Sequence, residues 1–413
     1  MVLVSILVTI IVILFLVNKK VNLGLTLLIS SLVLLVLNGI NPLNILGIIQ
    51  STATSQVTID LLLAVTFITI LSKFMSDYHI LDRMIDSLEG VLRSVKATIL
   101  LTPPLMGLLL VSGGALLSAP VIENLGDRLG FSKKKSAAVN MIFRHGLYFV
   151  YPLSTTIILT ATLSGYSVNQ FISYMWPTAL ALYFFGYLTF LKGVKDVKPP
   201  KTSISQYLKN LLLFVFYSSP LSVSIFLTVA LGVKLYMAMI AGIIICLLIH
   251  NIEVLKGRER SRTSFLKLTI GGINYQMLFT LFGMFLFKNA VNSLDGVELA
   301  LAQVINSGIP IEVILISFTM ILSLATGSIQ PSVALLIPIV IPMAASTHEL
   351  ILYSTLIYVS GFVGYFVSPL HMCQVVTVQY FKIETKDIYY YYKYIIAPMY
   401  IVSLVVYFIQ KML

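Results

Sequence analysis

The 413-residue chain is poor in charge, and this deficit limits what kind of protein it can be. Asp, Glu, Lys and Arg make up 10% of the residues, whereas 58% are hydrophobic. A soluble domain could not hide that much apolar surface in one core. Because about 20 apolar residues cross about 30 Å of hydrocarbon, the composition predicts an all-α polytopic membrane protein. The apolar runs of spanning or near-spanning length are 2–17, 23–37, 58–75, 209–229, 235–250 and 265–287.

Cysteine and the signatures of enzymes are scarce as well. The two cysteines, Cys246 and Cys373, both lie in apolar sequence, which indicates neither a disulfide framework nor a thiolate metal site. The sequence contains no GxSxG, HExxH or phosphate-binding loop. His371 and Cys373 supply a base and a nucleophile, but residues two apart on a helix point to different sides. We therefore expect a protein that is not an enzyme, with an intramembrane enzyme as an alternative.

The distribution of positive charge predicts the topology. A net charge of +11 would suggest nucleic acid in a soluble protein, but the basic residues cluster in alternate loops, so no nucleic-acid partner is expected. The positive-inside rule places these loops in the cytoplasm and both termini on the extracytoplasmic side. We expect a multi-pass protein of the cell (inner or plasma) membrane, surrounded by lipid. The clusters lie at 19–20, 73–96, 128–135, 192–209, 256–267 and 382–393.

The first apolar run is expected to stay in the protein as a helix. No basic residue precedes it and no small-x-small cleavage site follows it, as a signal peptide would require.

Two segments are predicted to be re-entrant hairpins, because each contains two apolar arms too short to cross a bilayer. The arms of 97–126 are about 15 and about 9 residues long and flank Ser112-Gly113-Gly114, where the chain can turn. A single crossing here would put the basic loops that follow on the wrong side. Residues 311–346 repeat the pattern around "ATGSIQPS". The same count of crossings makes this second hairpin enter from the outside.

Two short patterns occur twice, in the same order. "YFVYPL" at 148–153 returns as "YFVSPL" at 365–370, and Ser112-Gly113 followed by Ser118 returns as Thr326-Gly327 followed by Ser332. An odd number of predicted crossings separates the copies, so the second copy runs through the bilayer in the opposite direction. We expect about ten transmembrane helices plus two hairpins in an inverted repeat, a plan of many secondary transporters. The predicted units are an N-terminal helix at 1–20, a first repeat at 21–192, a linker and connecting helix at 193–232, and a second repeat at 233–413.

Each hairpin is followed by a long helix that a proline is expected to break. Pro152 and Pro369 each remove a hydrogen bond from a helix interior. Non-helical backbone at that depth persists only where protein or a watery cavity satisfies it. The freed carbonyls and helix ends would therefore face a binding site.

The order of hairpin, broken helix and further helix, with "SGGALLSAP" and "ATGSIQPSVALLIPIVIP" at the hairpin tips, resembles the ion transporter superfamily of secondary carriers. Within it, "SAAVNMIFRHGLYFVYPLSTTIILTATLSG" is most similar to an uncharacterised prokaryotic integral membrane protein family related to gluconate permeases. The resemblance covers residues 20–411 and implies a homodimer with an elevator-type mechanism, in which the hairpin-bearing part moves against a fixed scaffold. The Ser-Asn-Thr tip signature of the sodium-dicarboxylate branch is absent from both hairpins.

By position, the resemblance implies a site made by the hairpin tips and the helix breaks. Helix N-termini attract carboxylate or phosphate, and hydroxyls, amides and free carbonyls suit sodium, the only cofactor expected. The substrate-binding residues would be Ser112, Gly113, Gly114, Ser118, Arg144, Thr326, Gly327, Ser328, Gln330, Ser332 and His371. The ion-coupling residues would be Tyr151, Ser154, Thr155, Ser368, Gln374 and His145, with sodium at the tips and breaks.

Arg144 is the most informative single residue. A charge in the bilayer interior costs about 2.5–3.5 kcal/mol on insertion scales, so such an arginine usually faces a cavity or a partner. It could bind an anionic substrate. It could equally reach the cytoplasmic interface or pair with Glu123 or Asp127. His145 and His371 are read as site residues, against the alternative that each donates to a carbonyl.

These patterns predict a secondary active transporter of a small polar or anionic metabolite, such as a sugar acid or a carboxylate. Proton-driven carriers place Asp, Glu or His in the membrane, and here no carboxylate falls clearly in mid-helix, which favours sodium coupling. The alternatives are a proton-coupled carrier or exporter that uses the membrane histidines, and a channel.

Three other features have ordinary structural interpretations. The tyrosine run at 387–394 resembles an interfacial aromatic belt. The 77–96 segment has apolar residues at helical spacing and predicts an amphipathic helix on the inner surface. Asp60 is a carboxylate near a helix start, which the helix dipole favours.

Overall fold

A computed structural model describes residues 2–19, 21–107, 114–198, 203–257, 264–294 and 308–412. All regular structure within these ranges is helical, as predicted, and comprises nineteen α-helices and two 3₁₀ turns. The first ten helices are α1 (Val2–Asn18), α2 (Leu23–Leu37), α3 (Pro42–Thr54), α4 (Gln56–Asp77), α5 (Ile80–Leu92), α6 (Val95–Gly107), α7 (Gly114–Arg128), α8 (Lys133–Arg144), α9 (Thr155–Ser164) and α10 (Val168–Phe190). The others are α11 (Ile204–Val229), α12 (Leu235–Leu255), α13 (Phe265–Gly272), α14 (Tyr275–Asn292), α15 (Ile311–Thr326), α16 (Gln330–Val340), α17 (Thr347–Phe366), α18 (Met372–Phe381) and α19 (Thr385–Met412).

Six helical stretches in the described residues are long and apolar enough to cross a membrane, which agrees with the predicted class of membrane protein. The prediction of about ten crossings stays a prediction. The six are Gln56–Asp77, Ile204–Val229, Leu235–Leu255, Phe265–Asn292, Thr347–Phe366 and Thr385–Met412.

The structure departs from the sequence reading at two helix boundaries. The apolar run 265–287 is interrupted between α13 and α14, because the Asn274 side chain accepts a hydrogen bond from the Met277 N–H and starts a new helix. The segment 38–57, which lies between two of the predicted apolar runs, contains α3. Its start has a recognisable signal, since Asn41 caps the helix and Pro42 occupies its first turn.

The amphipathic segment forms α5, as its spacing predicts. Ile80, Met84, Ile85 and Leu88 are buried on one side, and the helix packs against α11. The charged residue Arg83 lies 3.6 Å from the buried carboxylate of Glu253 on α12. Burial of its apolar stripe therefore holds α5 against the neighbouring long helices.

Many of the helix contacts occur in matching couples. In one couple α2 packs against α14, and α12 packs against α4. In another the first helix pair, defined as α6 and α7, packs against α8 and α18. The second helix pair, defined as α15 and α16, packs against α17 and α9. The helix that follows each broken helix completes the pattern, because α10 and α19 pack against each other.

Candidate functional site

Both predicted helix breaks are present, each at its proline. The first break, defined as residues 145–154, separates α8 from α9 and contains a 3₁₀ turn at Gly146–Phe149. The second break, defined as residues 367–371, separates α17 from α18. The first copy of the "YFVxPL" motif lies within the first break, after α8 has ended at Arg144, and the second copy spans the end of α17 and the second break. Each proline then lacks the N–H that a continuing helix would need.

Side chains from other elements satisfy backbone carbonyls around the breaks. The Tyr358 hydroxyl donates to the Tyr148 carbonyl at 2.6 Å. The Ser368 hydroxyl donates to the Leu324 carbonyl of the second helix pair at 2.6 Å, and the Tyr389 hydroxyl donates to the Val367 carbonyl at 2.7 Å. Buried carbonyls without partners are costly, so these hydroxyls stabilise the broken backbone.

The two breaks meet in the interior of the protein through aromatic and histidine rings. The rings of Tyr148 and Tyr365, the first residues of the two motifs, lie nearly parallel with centroids 6.1 Å apart. His145 donates through Nδ1 to the Met141 carbonyl at 2.7 Å, which leaves Nε2 to accept from the Tyr365 hydroxyl at 3.3 Å. These contacts define a neutral His145 with a settled tautomer.

His371 lies in the same cluster but has no comparable hydrogen bonds. Its side chain is buried, with 1% of its surface exposed, and its ring centroid is 4.9 Å from that of His145 and 4.0 Å from that of Tyr365. Neither ring nitrogen forms a hydrogen bond of normal geometry in the described residues, although the Phe366 carbonyl lies nearby. A buried polar ring without partners marks a candidate binding group.

Arg144 places the one positive charge of this cluster. It is the last residue of α8, only 6% exposed, and its Nη1 donates to the Ser118 hydroxyl of α7 at 3.3 Å. The guanidinium also lies near the Cys373 thiol, close enough to interact with it electrostatically. No carboxylate of the described residues is bonded to it.

The ion pairs of the alternative structural interpretation, with Glu123 or Asp127, are not present in the described residues. The choice between a substrate contact and a structural role of Arg144 stays a prediction. Glu123 binds other partners, since it accepts from the Tyr380 hydroxyl at 2.8 Å and lies 3.7 Å from Lys133 Nζ. Within the described residues the guanidinium is instead hydrogen-bonded to the neutral Ser118 hydroxyl.

Each helix pair presses a glycine against a break. A Cβ on Gly107, at the end of α6, would lie 2.7 Å from the Arg144 carbonyl oxygen. A Cβ on Gly327, in the turn between α15 and α16, would lie 2.9 Å from the Leu370 backbone, and the φ of Gly327 is +63°. Only glycine allows these approaches without displacement of the backbone.

The turn of the second helix pair contains the predicted polar groups. The Thr326 hydroxyl donates to the Leu322 carbonyl at 2.8 Å, and the Ser328 hydroxyl donates to the Gln330 side chain at 2.8 Å. Ser332 is buried and its hydroxyl lies 2.6 Å from that of Ser323. In this arrangement the polar side chains bind one another and the backbone of the second helix pair. Contact with the second break is made by Gly327, which lies against Leu370.

The remaining predicted residues divide into three groups. Ser112 and Gly113 lie outside the described residues, and Gly114 is the first residue of α7. Ser154 and Thr155 are buried at the start of α9, beside the half-buried Tyr151. Gln374 is bonded at both ends of its amide, to Tyr389 at 3.3 Å and to Tyr392 at 3.1 Å. Among the described predictions, Ser118, Arg144, His145 and His371 are brought closest together.

The sequence reading missed four tyrosines and one cysteine that complete the site. Tyr148 and Tyr365 occupy the same position of the repeated motif, which was the available signal. Tyr389 and Tyr392 belong to the run assigned to an aromatic belt, and both point inward. Tyr389 donates to the Val367 carbonyl of the second break and Tyr392 to the Gln374 side chain of α18, while Tyr390 and Tyr394 are exposed. The belt interpretation is thus wrong for the two inward residues.

Cys373 was also misjudged. Its sulfur and one nitrogen each of His145 and His371 all lie within 4.8 Å of one another. The argument that His371 and Cys373 point to different sides of a helix is wrong, because His371 precedes the first turn of α18 and is free of helical geometry.

A cavity of about 430 Å³ adjoins the first break. Pro152 lines it together with Asp60 and Lys234, whose Oδ2 and Nζ atoms lie 3.1 Å apart. Asp60 is thus part of an ion pair at the cavity wall and is more than a residue that a helix dipole favours. The cavity is lined by the N-terminal turns of α4 and α12 and reaches Pro152 in the first break.

The fold and the site together define a class: an all-helical protein with the composition and helix lengths of a membrane protein and two broken helices that meet at its centre. The chain matches, over residues 1–412, the sequence model of a family described as "Protein of unknown function (DUF401)". The chain belongs to this family. A comparison with curated proteins found no match.

Proposed function

We propose that the protein is a secondary active transporter of a small polar or anionic metabolite, an organic anion such as a sugar acid or a carboxylate, coupled to sodium. The observation that carries this proposal is the meeting of two broken helices around a buried arginine that has no carboxylate partner among the residues described. Broken helices near the centre of an inverted repeat are where secondary carriers hold substrates and ions.

The mirrored packing supports an inverted repeat with two re-entrant hairpins. Exchanging α2 with α12, α4 with α14, α10 with α19, and each helix pair and broken helix with its counterpart converts each contact among these helices that is described above into another observed contact. A two-fold axis has this property. The first arm of the second helix pair has 16 residues and ends at Gly327, so it is shorter than a crossing needs.

Arg144 is the residue that we propose binds the substrate. Its guanidinium can bind a carboxylate through two parallel hydrogen bonds, and burial strengthens that interaction. Ser118 then positions the guanidinium, because its hydroxyl accepts a hydrogen bond from Nη1.

Sodium coupling rests on the oxygen atoms at the breaks. Tyr151, Ser154, Thr155, Ser368 and Gln374 supply carbonyl, hydroxyl and amide oxygens near the meeting point of the helices. Ser368 and Gln374 are bonded within the protein in this conformation, so they would exchange those partners for the ion.

Transport would follow the elevator-type mechanism that the resemblance to the ion transporter superfamily implies. The two helix pairs and the two broken helices would travel together as one body against α2, α4, α12 and α14, in a homodimer. The cavity beside Pro152 is the proposed access route on one side of the membrane.

Uptake into proteoliposomes tests this function. Labelled sugar acids and dicarboxylates are offered with an inward sodium gradient, and again after the gradient is dissipated. Accumulation above the external concentration that collapses with the gradient is expected. Flux that only equilibrates the substrate would instead identify a channel, and product formation in the same vesicles would identify an intramembrane enzyme.

Proton coupling is the second candidate, favoured by the contact between His145 and His371. A buried histidine pair can carry a proton that a low-pH side supplies. Replacing the sodium gradient by a pH gradient distinguishes the two. Uptake driven by the pH gradient alone, and abolished in His371→Asn, would replace sodium by protons in the proposal.

A further inference from the structure

We infer that His145, His371 and Cys373 form a binding site for a soft monovalent cation, Cu(I), between the two helix breaks. The inference goes beyond the proposed transport function and does not depend on it. Three ligand atoms, two imidazole nitrogens and one sulfur, lie within 4.8 Å of one another in the described residues. They come from both breaks, so an ion bound there would join the two.

The state of His371 points to a ligand. Its ring is 1% exposed and neither nitrogen forms a hydrogen bond of normal geometry, although burial of such a group is costly. His145 differs, because Nδ1 donates to the Met141 carbonyl. That bond orients the ring, and Nε2, which accepts from the Tyr365 hydroxyl in this conformation, would bind the ion in place of that hydrogen bond. Many metal sites likewise hold the second nitrogen of a histidine ligand through a carbonyl.

The distances require a small adjustment. Metal to ligand distances of about 2.0–2.3 Å place the ligands of one ion about 3.3–3.9 Å apart. The longest separation here would therefore shorten by about 1 Å, which is within the reach of side-chain rotation at Cys373, on the first turn of α18.

The charge of the surroundings selects the kind of ion. Arg144 already places one positive charge against Cys373. When Cu(I) binds, the thiol releases its proton to the aqueous buffer and a sulfur–copper bond replaces the sulfur–hydrogen bond, so the net charge of the site is unchanged. Zn²⁺ would add one uncompensated charge in a buried place, which is unfavourable. Soft thiolate ligands with imidazole also suit Cu(I).

The test uses the full chain, purified in detergent without oxygen and titrated with Cu(I) held by a chromophoric chelator. The variants are Cys373→Ser and His371→Asn, and the matched control is Cys246→Ser, which removes a buried thiol from α12 outside the cluster. Wild type and Cys246→Ser should each withdraw one equivalent of Cu(I). Cys373→Ser should bind at least about 10–100-fold more weakly, because loss of a ligand exceeds the loss of an outer partner.

Several results would overturn the inference. Equal binding by Cys373→Ser and wild type would place the ion elsewhere, and so would a loss in Cys246→Ser that matches the loss in Cys373→Ser. Stronger retention of Zn²⁺ than of Cu(I) would reject the charge argument.

X-ray absorption at the copper edge of the wild-type protein gives an answer that does not depend on the folding of variants. One sulfur and two imidazole nitrogens are expected around copper, and a shell of sulfur alone would contradict the site. None of these measurements involves transport, so their failure leaves the proposed function untouched.

Discussion

The first and the second break contain the same motif but are held in different ways. The first spans ten residues, includes a 3₁₀ turn and adjoins the cavity through Pro152. The second spans five residues and is bound by Ser368 to the second helix pair and by Tyr389 to α19. The first break is thus more open to the cavity, and the second is bound more tightly to the neighbouring helices. We therefore expect a ligand to enter at the first break.

The chemically informative residues do not follow the repeat. At the offset of 217 positions that relates the two motifs, Arg144 and His145 correspond to Gly361 and Phe362. His371 and Cys373 correspond to Ser154 and Thr156. The repeat therefore builds a symmetric framework, whereas the residues that could bind ligands are different in each half.

The largest expected effect is that of removing the charge beside the first break. Arg144→Ala should abolish uptake and weaken organic-anion binding by about 10–150-fold, as expected for loss of a charge-assisted hydrogen bond of about 1.5–3 kcal/mol. A thermal-shift screen of organic anions, with and without sodium, measures it. Arg128→Ala, which removes an arginine that pairs with Glu89 away from the site, is the control. Unchanged ligand shifts with lower basal stability would assign Arg144 a structural role.

A second comparison concerns the glycines that bring each helix pair to its break. Gly107→Ala should lower the free energy of unfolding by about 1–3 kcal/mol, because the new Cβ overlaps the Arg144 carbonyl. Gly327→Ala should cost at least as much, since contact and positive φ both oppose it. Thermal unfolding in detergent reports both.

Two other glycines serve as controls for these substitutions. Gly47→Ala in α3 meets nothing within 4 Å, and Gly165→Ala has a φ of +81° in open space. If Gly107→Ala is as mild as Gly47→Ala, the first helix pair does not press on the break. The difference between Gly327→Ala and Gly165→Ala separates the contact from the backbone strain.

Hydroxyl removal compares the fastening of the two breaks directly. Tyr358→Phe frees the Tyr148 carbonyl of the first break, and Tyr389→Phe frees the Val367 carbonyl of the second. Each should lower the free energy of unfolding by about 1–3 kcal/mol, the usual cost of a buried unsatisfied group. The exposed Tyr390→Phe should be neutral. Hydrogen exchange that rises at both breaks in both variants would mean that the breaks open as one unit.

The smallest effect is expected at the start of the first helix pair. Asp196 accepts from the Lys96 N–H at 3.1 Å. Partial burial would raise the pKa of Asp196, but hydrogen bonds from Ser94 and Lys96 outweigh it and lower that pKa below 3.8. The carboxylate therefore stabilises the fold above its unfolded pKa, and this contribution is lost as the pH falls through the lower, folded value.

Unfolding temperatures between neutral and acidic pH measure this contribution against Asp196→Asn. The variant should lose a small amount of stability at neutral pH and converge with wild type in acid. A constant difference at all pH values would show that the ionised form is not what matters.

Much of the helical framework could be predicted from the sequence, because apolar runs and prolines act locally. The runs 23–37 and 58–75 fall within helices, and Pro152 and Pro369 lie in the two breaks. The division at Asn274 and the helix at Pro42 were missed, although both have capping residues, because hydropathy alone does not register caps.

Site residues could be predicted from the sequence only where they lie next to a recognisable local pattern, a predicted helix break or a hairpin tip. Ser118, Arg144, His145 and His371 were selected because they flank breaks or hairpin tips, and the structure brings them together. Cys373, Tyr389 and Tyr392 were dismissed because their partners lie on other elements, and no local pattern records that Tyr392 turns toward Gln374.

By itself the sequence determined that the chain is helical and apolar, where its two long helices break, and that two short motifs occur once in each half. These properties depend on hydrophobic length and on backbone hydrogen bonds that proline removes, both of which are local. Only the tertiary structure decided which side chains share the space between the breaks. That choice depends on how α8, α18 and the helix pairs pack, and packing brings His145 and His371, 226 positions apart, into contact.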